Sequence, residues 1–101
     1  MNVTGAAGSN KIIHSGFYLD QNNPNPFNKL TSIQFFLPYQ AKVTIIITNS
    51  YGRVVDKLIS SVYDAGAYNL EFQADGLPKG TYFYHVMADK FTESREMEII
   101  K

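Results

Sequence analysis

From Ile12 onward the chain alternates apolar and polar positions in short bursts, with turn-forming residues between them. A period of two sends successive side chains to opposite faces of an extended backbone, so each burst predicts a strand with one buried face. Phe17–Leu19 predicts a short first strand, ended by the polar run Asp20-Gln21-Asn22-Asn23. Thr31–Leu37 sets Ile33, Phe35 and Leu37 on one face, and Pro38 stops it because proline cannot donate to a ladder. Lys42–Thr48 turns Val43, Ile45 and Ile47 inward, and Ile46 on the opposite face predicts a central or covered strand. Asn49-Ser50-Tyr51-Gly52-Arg53 predicts a hairpin turn with Gly52 at positive φ, returning through Val54–Ile59. A helix over Arg53–Tyr63 is the competing expectation. The adjacent Val54 and Val55 and the pair Ser60-Ser61 weigh against it, since none of them favours a helix interior.

After the turn Asp64-Ala65-Gly66, Tyr68, Leu70 and Phe72 alternate with Asn69, Glu71 and Gln73. Asp75–Gly80 is a compact loop holding two glycines, and Thr81–Ala88 carries Tyr82, Tyr84 and Val86 on one face. Asp89-Lys90 is a tight turn, and Thr92–Ile100 closes the pattern with Met97 and Ile99 in one register. Seven such strands predict an all-β chain folded as two packed antiparallel sheets. Between the first two strands, Pro24-Asn25-Pro26-Phe27-Asn28 reads as a stiff, non-helical strut. Phe27 is its one bulky apolar group, so the segment is expected to cross a sheet edge with that ring pinned in the core.

At 101 residues the chain holds a single domain, expected over residues 12–101. Residues 1–11 are small, polar and glycine-rich, the composition of a flexible linker. Nine basic and nine acidic residues cancel and are scattered along the sequence, which leaves no counterion-releasing footprint for nucleic acid. No apolar run approaches the roughly 20 residues that span a bilayer as a helix, so direct membrane insertion is not expected. There is no cysteine, hence no disulfide framework and no thiol nucleophile.

Candidate chemistry is sparse. His14 and His85 stand apart without metal-ligand spacing, and His85 beside Phe83 and Met87 is expected to be a hydrogen-bonded strand residue. Carboxylate pairs such as Glu93 with Glu96, or Asp20 with Asp56, are not brought together by anything in the sequence and read as solvated side chains. No Gly-x-Ser-x-Gly elbow or phosphate-cradling loop occurs, so no enzyme, metal or cofactor is expected. Tyr39, Tyr51 and Tyr63, in or near turns, offer an alternative function as an aromatic platform for a glycan or protein.

Taken in order, Pro24-Asn25-Pro26-Phe27-Asn28, Tyr51-Gly52-Arg53-Val54-Val55, Gly76-Leu77-Pro78-Lys79-Gly80-Thr81-Tyr82 and a strand ending at Lys101 resemble one family. It is the type A C-terminal sorting domain of the type IX secretion system, related to the immunoglobulin-like domain of flagellar hook-capping proteins. The resemblance runs from Leu19 to Lys101, and Asn23 stands where the family often has an aromatic residue. It implies an immunoglobulin-like antiparallel β-sandwich at the end of a larger exported protein in a Bacteroidetes-type envelope. That protein would pass through the periplasm to the cell surface or the extracellular space. The implied partners are an upstream cargo domain, the outer-membrane translocon, and a sortase-like transpeptidase that cuts near the domain's N-terminal boundary and joins the cargo to surface lipopolysaccharide. On this resemblance, translocon recognition is expected at Gly52 and Arg53 and at the end of the last hairpin, Glu98, Ile99, Ile100 and Lys101. Pro24, Asn25, Pro26, Phe27, Asn28, Gly80 and Tyr82 are expected to be structural.

Overall fold

The computed structural model describes the backbone of residues 3–5 and the whole of residues 16–101. The expected linker 1–11, apart from that short backbone, and His14 lie outside the described residues. Eight strands form two four-stranded antiparallel sheets. One sheet has the order β1 (Val3–Gly5), β6 (Gly66–Gln73), β3 (Leu30–Leu37), β2 (Tyr18–Leu19). The other has β5 (Val54–Tyr63), β4 (Ala41–Asn49), β7 (Gly80–Ala88), β8 (Phe91–Ile99). The seven expected strands are β2 to β8. The eighth, β1, lies on the outer edge of β6 with Val3 opposite Leu70 and Gly5 opposite Tyr68. No helix among the described residues is long and apolar enough to cross a membrane.

The alternation in sequence becomes the core between the sheets. Ile33, Phe35, Leu37, Leu70 and Phe72 from one sheet meet Val43, Ile45, Ile47, Tyr84, Val86, Met97 and Ile99 from the other, all at most 3% exposed. At roughly 25 cal/mol per Å² of apolar surface, burying such side chains is the main term favouring the fold. Thr31 shares the inward register of β3 and is likewise buried.

Two departures from strict alternation have a local cause. The β4–β5 ladder shifts register between Ile45 and Ile46 and again between Ile47 and Thr48. The extra residues lie on β5, where Leu58 and Ile59 are buried as a consecutive pair; Thr48 keeps the regular register of β4 and is buried on the outer face, where its hydroxyl meets His85 Nε2. The same ladder decides against the helix alternative over Arg53–Tyr63, because Val54–Tyr63 forms the edge strand β5. That strand runs four residues beyond the expected Ile59, since Ser60 and Ser61 pair with Thr44 and Val43 while facing solvent.

Following the strand directions divides the sandwich into two ends. The chain enters β2 beside the turns at 38–40, 64–65 and 89–90, where Phe17 stacks on Phe91 at 5.2 Å and meets Tyr39 edge-on at 5.1 Å. At the opposite, far end lie the strut, the β4–β5 hairpin tip, the β6–β7 loop at 74–79 and Lys101.

Candidate functional site

The far end is built around the strut. Asn23 exchanges two backbone hydrogen bonds with Ser32 of β3, its amide donating at 2.9 Å and its carbonyl accepting at 3.0 Å. Four residues later the Phe27 amide donates to the Glu98 carbonyl at 3.0 Å, and the Ile100 amide donates to the Phe27 carbonyl at 2.7 Å. The segment thus leaves the edge of one sheet and pairs with the edge of the other, in a parallel bridge of Phe27 with Ile99. Asn25 Oδ1 accepts from the Glu98 amide at 2.9 Å. Together these bonds cover the outer backbone groups at the end of β8, from Glu98 to Ile100, that would otherwise be open to pairing. Both peptide bonds preceding Pro24 and Pro26 are cis. The Phe27 ring is 2% exposed and meets Phe72 edge-on at 6.2 Å, as the sequence predicts for a pinned side chain.

Under the strut runs a buried polar chain that sequence reading missed. Tyr84, wholly buried on β7, donates its hydroxyl to the Asp20 carbonyl at 2.6 Å and accepts from the Asn22 amide at 2.7 Å. The Asn22 side-chain amide donates to Pro24 O at 3.1 Å and to Thr31 Oγ1 at 3.0 Å, and Thr31 Oγ1 donates to Pro24 O at 2.7 Å. Every one of these groups would be costly to bury alone, and each is satisfied by another. Burial pushes the Tyr84 phenol up to about 12 from its ordinary 10.0. Asn22 sits in a polar run that reads as turn, and only the in-phase spacing of Thr31 with Ile33, Phe35 and Leu37 hints at an inward hydroxyl.

The β4–β5 hairpin tip is held from within. Asn49 Oδ1 accepts from the amides of Tyr51 at 2.9 Å and Arg53 at 3.0 Å, while the Gly52 amide donates to Asn49 O at 3.0 Å. Gly52 has φ of 83°, as expected, and a Cβ there would meet nothing within 4 Å. The requirement for glycine is therefore conformational: Gly52→Ala is expected to cost about 1–2 kcal/mol, read as a lower urea midpoint with an unchanged slope. Arg53 is exposed and Tyr51 is 93% exposed.

At the end of β8 the expected recognition residues take different positions. Glu98 accepts from Thr81 Oγ1 at 2.7 Å, Ile99 is buried at 1% exposure, and Ile100 is 51% exposed. The Lys101 ammonium donates to the carbonyls of Ala74 at 3.0 Å and Leu77 at 2.6 Å, closing the β6–β7 loop against the chain's last residue. Gly80 begins β7 with φ of 146°, a region open mainly to glycine, and the Tyr82 hydroxyl donates to Pro78 O at 2.8 Å. The strut, hairpin tip, glycine loop and final residues, far apart in sequence, therefore share one end of the fold.

The three tyrosines do not share a surface. Tyr39 packs at the entry end and bonds Asp89, Tyr63 meets Tyr68 at 5.3 Å, and Tyr51 projects from the far end. The platform alternative is not favoured, because β4 separates Tyr51 at the far end from Tyr39 and Tyr63 at the entry end. His85 bridges Thr48 at 2.8 Å and Ser94 at 2.5 Å on an open sheet face, the satisfied strand histidine expected. Among the described residues no three His, Cys, Asp or Glu side chains could hold a metal ion. A polar groove of about 410 Å³ on the β2–β3–β6 face is lined by Asp20, Gln21, Asn23, Ser32, Gln34 and Asn69.

The family described as "Secretion system C-terminal sorting domain" matches residues 23–101. No curated protein and no solved structure matches the chain. The matched span contains the strut from Asn23, all of β3 to β8, and the far-end cluster just described. The chain belongs to the family of secretion system C-terminal sorting domains, the sorting signals of type IX secretion.

Proposed function

We propose that the translocon reads the far end of the sandwich. Arg53 and Gly52 at the hairpin tip and Ile100 and Lys101 at the chain's end make the contact. Glu98 and Ile99 hold that end in register through Thr81 and the core. Arg53 offers a planar, bidentate donor to a partner carboxylate. The domain performs no catalysis itself. Its parent crosses the periplasm, a sortase-like transpeptidase cuts within residues 1–11, and the released cargo is joined to surface lipopolysaccharide.

One observation carries this reading: four landmarks separated in sequence converge on one end of the sandwich. A rigid β scaffold presenting loops in fixed geometry suits recognition by shape. In a type IX-competent bacterium, a reporter fused to the whole chain and carrying Arg53→Ala with Ile100→Ala is expected to reach the surface roughly tenfold less than wild type. Tyr39→Ala, at the entry end, is expected to leave display unchanged. The reverse pattern would reject the far end as the recognised surface.

A further inference from the structure

Charges that are scattered in sequence are not scattered in space. The far-end segments carry Lys29, Arg53, Lys79 and Lys101, against the Asp75 side chain and the α-carboxylate of Lys101. Glu98 lies one residue back in β8, with its carboxylate occupied by Thr81, and Asp56 and Glu71 lie further back on their strands. The entry end carries Asp64 and Asp89 against Lys42 and Lys90. In a chain of zero net charge the far end is thus the more basic one.

The cations are also held in place rather than trailing from loose loops. The Ala74 amide donates to the Lys29 carbonyl at 2.9 Å, the Asn49 side chain fixes the backbone of Arg53, and the Lys101 ammonium rests on two carbonyls. Lys29, Arg53 and Lys79 are exposed, and none is in an ion pair among the described residues. Exposed Leu30, Tyr51 and Ile100 lie among them, at 41%, 93% and 51% exposure. Fixed like charges interleaved with apolar side chains describe a docking face with a stereospecific partner.

We propose that the far end is an electrostatic docking face for an acidic, apolar-pocketed protein surface of the outer-membrane translocon. This rests on the far-end reading above and adds the chemistry of the partner. Attraction between the basic end and an acidic surface raises the rate of productive encounter. An anionic lipid surface is the weaker fit, because such surfaces recruit clusters of about four to eight basic residues. Here one of the four cations is already engaged by backbone carbonyls.

The test measures association of the whole chain with purified type IX outer-membrane translocon at low and high NaCl. Arg53→Glu combined with Lys79→Glu is compared with an equal reversal at the entry end, Lys42→Glu with Lys90→Glu. Circular dichroism confirms that both variants keep the wild-type β signature. The far-end reversal is expected to slow association at low salt by about tenfold or more and to flatten its salt dependence, with the entry-end reversal within about twofold of wild type. Equal effects from the two reversals, or salt-independent wild-type association, would overturn the charge proposal while leaving the far-end reading standing. Absence of any wild-type association would remove both. Binding of the wild type, but not the far-end variant, to vesicles rich in phosphatidylglycerol, with translocon association unaffected, would replace the protein partner by a lipid one.

Discussion

Replacing Phe27 by Ala is expected to destabilise the domain by about 3–5 kcal/mol, a large share of the roughly 5–15 kcal/mol that holds a small domain folded. The ring is 2% exposed between the sheets and contacts Phe72, so truncation leaves a cavity as well as losing transfer energy. The position is also where the strut changes sheets: the Phe27 amide and carbonyl bond Glu98 and Ile100. Loosening it frees the β8 edge along with the core. Each kcal/mol moves the melting midpoint of a domain this size by about 4–8 °C, so a fall of at least about 12 °C is expected by calorimetry. A shift of only a few degrees would mean that the strut is an appendage rather than part of the core.

Tyr84→Phe is the second large effect, and it removes a single oxygen. Without it the Asp20 carbonyl and the Asn22 amide lose their buried partner, at about 1–3 kcal/mol each. The same phenol gives the domain an alkaline limit. Its folded pKa lies near 12 against 10.0 when unfolded, chiefly because burial disfavours the phenolate. Between those values the unfolded chain has released a proton that the folded chain keeps, so stability falls as pH rises. The contribution is fully present below pH 10 and declines by on the order of 3 kcal/mol by pH 12. Urea titrations of wild type and Tyr84→Phe are therefore expected to differ most below pH 10 and to converge above it. A constant difference across that range would show that Tyr84 does not titrate as a buried phenol.

Which features were legible in the sequence follows from how locally they are encoded. The inward faces of β3, β6 and β7 were, because alternation is written in neighbouring residues. So was Phe27, because a lone ring between prolines has few places to go. The full length of β5 was not, because an edge strand can expose Ser60 and Ser61 and needs no apolar signature there. Nor was the bulge that buries Leu58 beside Ile59, since an inserted residue inverts the pattern without announcing itself. The Asn22–Thr31–Tyr84 chain joins residues up to 62 positions apart, and nothing local distinguishes a buried asparagine from a turn one. The far-end cluster is the clearest such case. Its four motifs could be recognised one by one, but the gathering of Lys29, Arg53, Lys79 and Lys101 exists only once antiparallel strands return the chain repeatedly to the same end.

As a type IX sorting domain, the sandwich belongs to a protein destined for the cell surface or the extracellular space. Its structure offers a β body, a β8 edge capped at its end by the strut, and loops held by side-chain and backbone hydrogen bonds. The most direct measurement is the fate of a periplasmic reporter fused upstream of residues 1–101 in a type IX-competent bacterium, followed by protease accessibility on intact cells. The reporter is expected at the surface with the folded wild-type chain and retained inside with Phe27→Ala. Retention of the wild-type fusion, or equal surface display of both, would contradict a sorting signal read from the folded sandwich.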